Sequence, residues 1–327
     1  MQAGSQCLPV LLQVVVALIA IALCAVLALS IWFFRKPFAA TVWLRRRRLR
    51  RSGFAKTTVS TSLGRQTVWY GGSGPLLILL HGAGDQAGTW HRIARDLAQK
   101  YSLVMPDLAG HGQSTPSSGA LGIGTILSAL EQVLDSARWK SQRFVLVGNS
   151  LGAWISMLYA RKHPERVSRL VLLNGGALRH ELAEITLMPK NREEARRAFD
   201  AILDPATPRP PSFVLDDLVR VTNRGPIARI AATASEIPNY TLDGKLGDFP
   251  LPVDVIWGAS DRLVPLEYAG TMEAQLPAAR LTVIEHCGHA PQLECPTRLL
   301  EALLPVLAGP PPENQQPVSA ASTNLGS

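Results

Sequence analysis

The hydrophobic pattern changes character three times along the chain. From Leu8 to Phe34 the residues are apolar almost without break, and only Gln13 and Ser30 are clearly polar. As a helix this run is about 40 Å long, enough to cross a hydrocarbon core of about 30 Å with some tilt. Short apolar runs recur further on, at Leu76–Leu80, Leu103–Met105, Phe144–Val147, Leu170–Leu173, Val253–Trp257 and Leu281–Ile284. They are continuous rather than alternating, which predicts strands buried on both faces. Between them, Ile126–Trp139 and Trp154–His163 space their apolar residues along one helical face. Strands alternating with helices predict an α/β fold, a mostly parallel sheet with helices on both faces. Lys56–Tyr70 reads as an antiparallel edge pair turning near Gly64.

The alternation lapses between Gly176 and Pro250. Asn191 followed by Glu194 resembles a capping box and predicts a helix over Arg192–Leu203. Val214, Leu215, Leu218 and Val219 share a helical face, and Pro226–Ile237 supplies another. Such an insertion, about residues 177–250, reads as a helical cap over the carboxyl edge of the sheet, where open parallel sheets bind ligands. Gly309–Ser327 has few large apolar residues and is expected to be a disordered tail. The expected organisation is a transmembrane anchor at 8–34, a basic juxtamembrane linker at 35–55, the α/β domain at 56–308 and the tail at 309–327.

The 327 residues are 47% hydrophobic and 18% charged, which excludes a mainly disordered chain. The net charge of +8 is local: Arg35, Lys36, Arg45, Arg46, Arg47, Arg48, Arg50, Arg51 and Lys56 follow the apolar run with no acid among them. Without them the chain is close to neutral. Basic residues after a long apolar run mark an uncleaved anchor rather than a signal peptide, whose charges come first. Beside an anchor they attract anionic lipid headgroups and predict that the domain faces the cytosol. No motif for nucleic acid accompanies them. Four cysteines are too few for a disulfide scaffold, and Cys287 is expected to be a small packing residue with a thiol near the site. His286, Cys287, His289 and Cys295 match no common zinc spacing, so no metal is expected. The oligomeric state is not legible.

The chemistry centres on Gly148–Gly152, G-N-S-L-G, which joins the predicted strand Phe144–Val147 to a helix. A sharp strand-to-helix turn there presents the Ser150 hydroxyl as a nucleophile. A serine needs a base, and His289, after the last apolar run, is the best placed of seven histidines. His286 is expected to be packed or capping and His163 to cap a helix, while His91 and His180 lie in no motif. The base needs a carboxylate to hold its tautomer. Asp261 follows Val253–Trp257 and fits; Asp254 starts its strand at the wrong edge, and Asn174 is not ionisable. Ser150, Asp261 and His289 then occur in the chain order of one known nucleophile-elbow architecture. Backbone donors for an oxyanion, each worth roughly 3–4 kcal/mol, are expected from Leu151 and from the loop after Leu76–Leu80, with Ala83 the first choice and Gly84 the second. His81 and Asp107 are expected to anchor their own loops.

His81–Gly84 (H-G-A-G), Asp107–Ser114 (D-L-A-G-H-G-Q-S), Gly148–Ala153 (G-N-S-L-G-A), Trp257–Asp261 (W-G-A-S-D) and Gly288–Pro296 (G-H-A-P-Q-L-E-C-P) together resemble the α/β-hydrolase superfamily over about Leu76–Leu307. The anchor with its basic flank is similar to the membrane-bound monoacylglycerol lipase branch. That resemblance implies hydrolysis of lipid acyl esters by a Ser–Asp–His set without a cofactor. Two other readings compete. G-N-S and H-G-A-G-x-x-x-G-x-W also resemble the meta-cleavage hydrolases, which break carbon–carbon bonds, and Arg220 or Arg224 in the cap is a candidate for binding a carboxylate. Against this, the tryptophan that family carries shortly after its histidine is missing. The other alternative is a non-catalytic binding protein on the same fold.

Overall fold

The computed structural model describes residues 7–140, 142–179, 186–310 and 312. The apolar runs become one sheet of strands β1 (Ala55–Thr61), β2 (Gly64–Gly71), β3 (Leu76–Leu80), β4 (Ser102–Pro106), β5 (Phe144–Asn149), β6 (Val167–Leu173), β7 (Val253–Gly258) and β8 (Ala279–Ile284). Their spatial order is β1-β2-β4-β3-β5-β6-β7-β8. β1 and β2 form the expected hairpin at Gly64, and β2 is also antiparallel to β4. All other neighbours are parallel.

The helices are α1 (Cys7–Arg35), α2 (Pro37–Arg51), α3 (Ala94–Leu97), α4 (Ile123–Leu134), α5 (Leu151–Lys162), α6 (Arg192–Ile202), α7 (Ser212–Thr222), α8 (Pro226–Ala231), α9 (Leu266–Gln275), α10 (Pro291–Glu294) and α11 (Pro296–Ala308). Successive strand residues point to opposite faces, so β3 divides its side chains between two cores. Ile78 packs with Leu130 of α4, Ile155 of α5 and Met272 of α9. Leu77 and Leu79 pack with Leu49 of α2, Leu97 of α3 and Leu303 of α11. Both faces are therefore covered, as continuous apolar strands require.

The insertion between β6 and β7 carries α6, α7 and α8. The Asn191 side chain accepts a hydrogen bond from the Glu194 amide at 2.9 Å and caps α6. The third cap helix stops sooner than its apolar spacing predicts. α8 ends at Ala231, and a 3-10 segment, Ala234–Tyr240, containing Pro238 takes over; proline offers no amide to continue an α-helix.

The basic segment departs from expectation, because it is a packed helix instead of a linker. Pro37 opens α2 directly after α1. Along α2, Leu49 is fully buried, Arg45 lies 3.4 Å from Asp85, and Arg46 lies 3.5 Å from Asp107 and 3.2 Å from Gln86. Arg48 meets the His91 ring at 3.0 Å. The arginines fold onto the domain because it offers them partners that a charge count along the chain does not reveal. At the other end of α2, the Phe38 amide donates to buried Asp217 of α7 at 3.0 Å. The Phe33 and Phe34 rings of α1 rest on Phe213 of α7, with centroids 6.1 and 5.1 Å away.

From Leu12 to Trp32 α1 stands free of the domain with its apolar side chains outward, Leu12 at 63% and Leu29 at 64% exposure. Leu12–Arg35 is long and apolar enough to cross a membrane. Most of the expected tail lies outside the described residues. Where it begins, the Gly309 and Pro310 carbonyls accept hydrogen bonds from Arg169.

This packing separates the roles of the two N-terminal helices. A chain beginning at Pro37 is expected to fold, because α1 touches the body chiefly through two rings. A chain beginning at Ala55 loses the burial of Leu49 and the cation beside Asp107, together about 3 kcal/mol or more. Its thermal midpoint should fall by about 10 °C. Calorimetry of the two truncations checks this, and equal midpoints would contradict the structural role of α2.

Candidate active site

The chain enters the parallel sheet at β3, continues to β4 on one side and returns to β5 on the other. The loops after β3 and β5 therefore part at the carboxyl edge and leave a crevice, the usual ligand position in such sheets. Ser150 sits on that edge between β5 and α5 with φ 54° and ψ −118°, a region costly for a residue with a side chain. The turn is tight enough that its glycines are obligatory. A Cβ on Gly148 would lie 2.3 Å from the Gly152 carbonyl oxygen, and one on Gly152 would lie 2.2 Å from that of Leu80.

Two loops farther along the edge deliver its partners. Ser150 Oγ lies 2.9 Å from His289 Nε2, and His289 Nδ1 lies 2.7 Å from Asp261 Oδ2. Asp261 also accepts hydrogen bonds from the Asn174 side chain at 2.8 Å and from the Leu263 and Val264 amides at 3.0 Å each. An ionised carboxylate only accepts, so the ring proton belongs on Nδ1, and Nε2 is left to receive the hydroxyl proton of Ser150.

Ala83 and Leu151 line the same cavity as Ser150. Neither backbone N–H has an acceptor among the described residues. Gly84, the second choice, is left-handed with φ 75° and backs onto Ile227. The cavity, about 520 Å³, has walls of Trp154, Leu178, Met188, Ile227, Ile230 and Tyr268. Among the described residues Arg179 is the one cation lining it, and Arg220 and Arg224 are not among its lining residues. Arg220 instead pairs with Asp217. Burial raises the Tyr268 hydroxyl pKa well above its ordinary value, which keeps it a neutral donor.

The remaining candidates have other duties. Buried His81 donates from Nδ1 to the Gly82 carbonyl and accepts the Leu108 amide on Nε2. Asp107 accepts the amides of Ala87 and Gln113, each at 2.8 Å, and so ties its own loop to the loop that carries Ala83. His163 caps α5 and contacts Glu131 at 3.0 Å. Asp254 pairs with Arg169 and Arg280 at the opposite edge of the sheet. Burial lowers His91 to about 4 and His111 to about 3, the latter helped by the neighbouring His81. Both rings are therefore neutral near pH 7. His180 lies outside the described residues.

Two expectations need correction. His286 is exposed at φ 52°, and its side chain neither packs nor caps; its backbone turns the chain after β8 and its carbonyl accepts a hydrogen bond from Arg298 at 3.0 Å. Cys287 is no reachable thiol: it is buried and disulfide-bonded to Cys295, with the Cα atoms 5.9 Å apart.

That disulfide closes the short loop bearing His289, and several groups unforeseen from sequence hold the same loop. The Asn149 side chain donates to the His289 carbonyl at 3.0 Å and accepts from Gln292, also at 3.0 Å. Glu294 accepts the Gly288 amide at 2.7 Å, and the His289 amide donates to the Ile202 carbonyl at 2.7 Å. Asn149 precedes Ser150 and Gln292 follows His289 by three residues, but only the fold pairs them.

Comparison with known proteins places this geometry in context. Residues 77–302 match the family described as the alpha/beta hydrolase family. Monoacylglycerol lipase ABHD6 of Homo sapiens is 24% identical over 72% of this chain and 76% of its own length. A 2-hydroxy-6-oxononadienedioate/2-hydroxy-6-oxononatrienedioate hydrolase of Cupriavidus pinatubonensis is 28% identical over 68% and 83%. Among solved structures, a membrane phospholipase A superposes with a TM-score of 0.71 at 26% identity, covering 89% of this chain and 97% of that one.

The support that Asn174 gives Asp261 makes it a positioning residue with a measurable effect. Asn174→Ala is expected to slow the labelling of Ser150 by a fluorophosphonate about tenfold through loss of one charge-assisted hydrogen bond, and to lower the thermal midpoint by a few degrees because the Gly258 amide also loses its acceptor. An unchanged labelling rate would remove Asn174 from the site.

Proposed function

The chain belongs to the alpha/beta hydrolase family, and from that premise we propose that it is a membrane-anchored serine hydrolase cleaving acyl esters of lipids such as monoacylglycerols. Ser150 attacks the ester carbonyl while His289 Nε2 takes its proton, and Asp261 stabilises the imidazolium through Nδ1. The Ala83 and Leu151 amides receive the developing oxyanion. His289 then protonates the leaving alcohol, and an acyl group remains on Ser150. A water molecule, deprotonated by His289, releases the acid and restores the hydroxyl. The observation that carries this reading is the hydrogen-bonded line Ser150–His289–Asp261 opening into an apolar cavity of about 520 Å³. The lipid part is supported by α1 and by the lipase and phospholipase among the relatives.

The meta-cleavage hydrolase among the relatives supports a second reading, cleavage of a carbon–carbon bond by the same residues. Arg179 is then the group available to a substrate carboxylate. Ser150→Ala is expected to lower hydrolysis of a monoacylglycerol by about 10³-fold or more and to abolish fluorophosphonate labelling. Turnover of a vinylogous diketone acid with no turnover of acyl esters would favour the second reading. A folded wild-type chain that takes no label would sink both.

On the sidedness of the domain, two observations pull apart. The arginine cluster calls for the cytosolic side, whereas disulfides such as Cys287–Cys295 persist in oxidising compartments. Protease accessibility of the domain in right-side-out membrane vesicles reads the answer. Protection is the outcome the arginines require, and digestion is the outcome the disulfide requires.

A further inference from the structure

A second cleft, about 620 Å³ and distinct from the cavity at Ser150, opens between α2 and the β1–β2 hairpin. Arg46, Arg47, Arg50 and Arg51 of α2 and Lys56 of β1 line it. Arg46 is engaged by Asp107 and Gln86. No carboxylate among the described residues pairs with the other four cations. Arg47 lies over the Trp43 ring at 5.2 Å and Arg50 over the Trp69 ring at 5.9 Å, which holds the guanidinium planes in place without neutralising them. Lys56 has only the neutral Gln113 side chain, at 3.2 Å. Trp69 is 1% exposed, and its indole N–H has no acceptor among the described residues. The cleft thus gathers positive charge and hydrogen-bond donors and supplies no anion to meet them.

Its polarity runs along the helix. The apolar lining residues Ala39 and Val42 lie in the first turns of α2, next to the end of α1, and Arg47, Arg50 and Arg51 follow. At 1.5 Å per residue, Ala39 and Arg51 are about 18 Å apart. A glycerophospholipid has the same sequence of parts, with acyl chains toward the bilayer and a phosphate beyond them. Guanidinium groups bind phosphate oxygens through paired hydrogen bonds.

We propose that this cleft is a binding site for the phosphate headgroup of an anionic bilayer phospholipid, separate from the site of ester cleavage. The inference rests on α1 lying in a bilayer and does not require the hydrolase chemistry to be correct. It goes beyond diffuse attraction between a basic segment and a membrane, since it assigns the affinity to particular arginines.

The test uses the full-length Ser150→Ala chain in neutral detergent micelles, so that no lipid is consumed. Monomeric dihexanoyl phosphatidylglycerol, dihexanoyl phosphatidylcholine and inorganic phosphate are titrated in by calorimetry. Saturable binding of the phosphatidylglycerol is expected, at least about tenfold tighter than that of the other two. Arg50→Gln/Arg51→Gln should weaken it about tenfold or more. Arg35→Gln/Lys36→Gln, which removes the same charge beside the cleft but not from it, should change it less than about twofold. Arg50→Lys/Arg51→Lys keeps the charge without the paired donors and should still weaken binding at least about threefold. The thermal midpoint serves as the folding control. Equal losses in the two glutamine pairs, equally tight binding of inorganic phosphate, or no saturable binding would each overturn the proposal.

Discussion

A carboxylate taken out of water is costly unless its lone pairs are satisfied, and Asp261 is only 3% exposed. Four groups meet that cost: Asn174, two backbone amides of its own turn, and the His289 ring. Since one of the four is the imidazole, satisfying the acid also fixes the ring, its tautomer and the direction of Nε2. Ser150 then has a single acceptor aimed at it from a position decided by burial. The order at this edge is therefore a consequence of packing, and the strained backbone at Ser150 persists because Gly148 and Gly152 permit the close contacts around it.

Much of this was legible in the chain. Continuous apolar runs predict strands covered on both faces, and the turn G-N-S-L-G between a strand and a helix marks Ser150. Chain order brings Asp261 and His289 to the same edge, because each follows a parallel strand. What stays hidden is pairing between distant polar residues. Asn174 looked like an empty acid position and is a support for Asp261. Asn149 and Gln292, 143 residues apart, join to hold the His289 loop. Cys287 and Cys295 lie close enough to pair, yet nothing in so sparse a set of cysteines marks them. The helical state of the basic segment was hidden for the same reason, since its partners Asp85, Asp107 and Asp217 come from three different parts of the chain.

The cap and the apolar helix α1 are joined in a way that neither segment reveals alone. α7 receives Phe33 and Phe34 of α1 on Phe213 and the Phe38 amide of α2 on Asp217, and α8 follows it and supplies Ile227 and Ile230 to the cavity wall. The roof of the cavity and the exit point of the apolar helix thus belong to one packed unit. Arg45 and Arg46 extend that unit to Asp85 and Gln86, close in sequence to Ala83.

α2 is packed against the domain and does not hang as a tether, so in the proposed membrane-anchored arrangement the fold would set the height and tilt of the cavity above the bilayer. A leash would let the cavity turn toward bulk water and bilayer alike, whereas under the proposed function a fixed mount would favour encounter with molecules diffusing in the plane beneath it. For the proposed lipid substrate, the quantity governing encounter would be its mole fraction in the membrane, a two-dimensional concentration. Diluting the membrane with inert lipid at constant bulk substrate would starve such a protein just as removing substrate does.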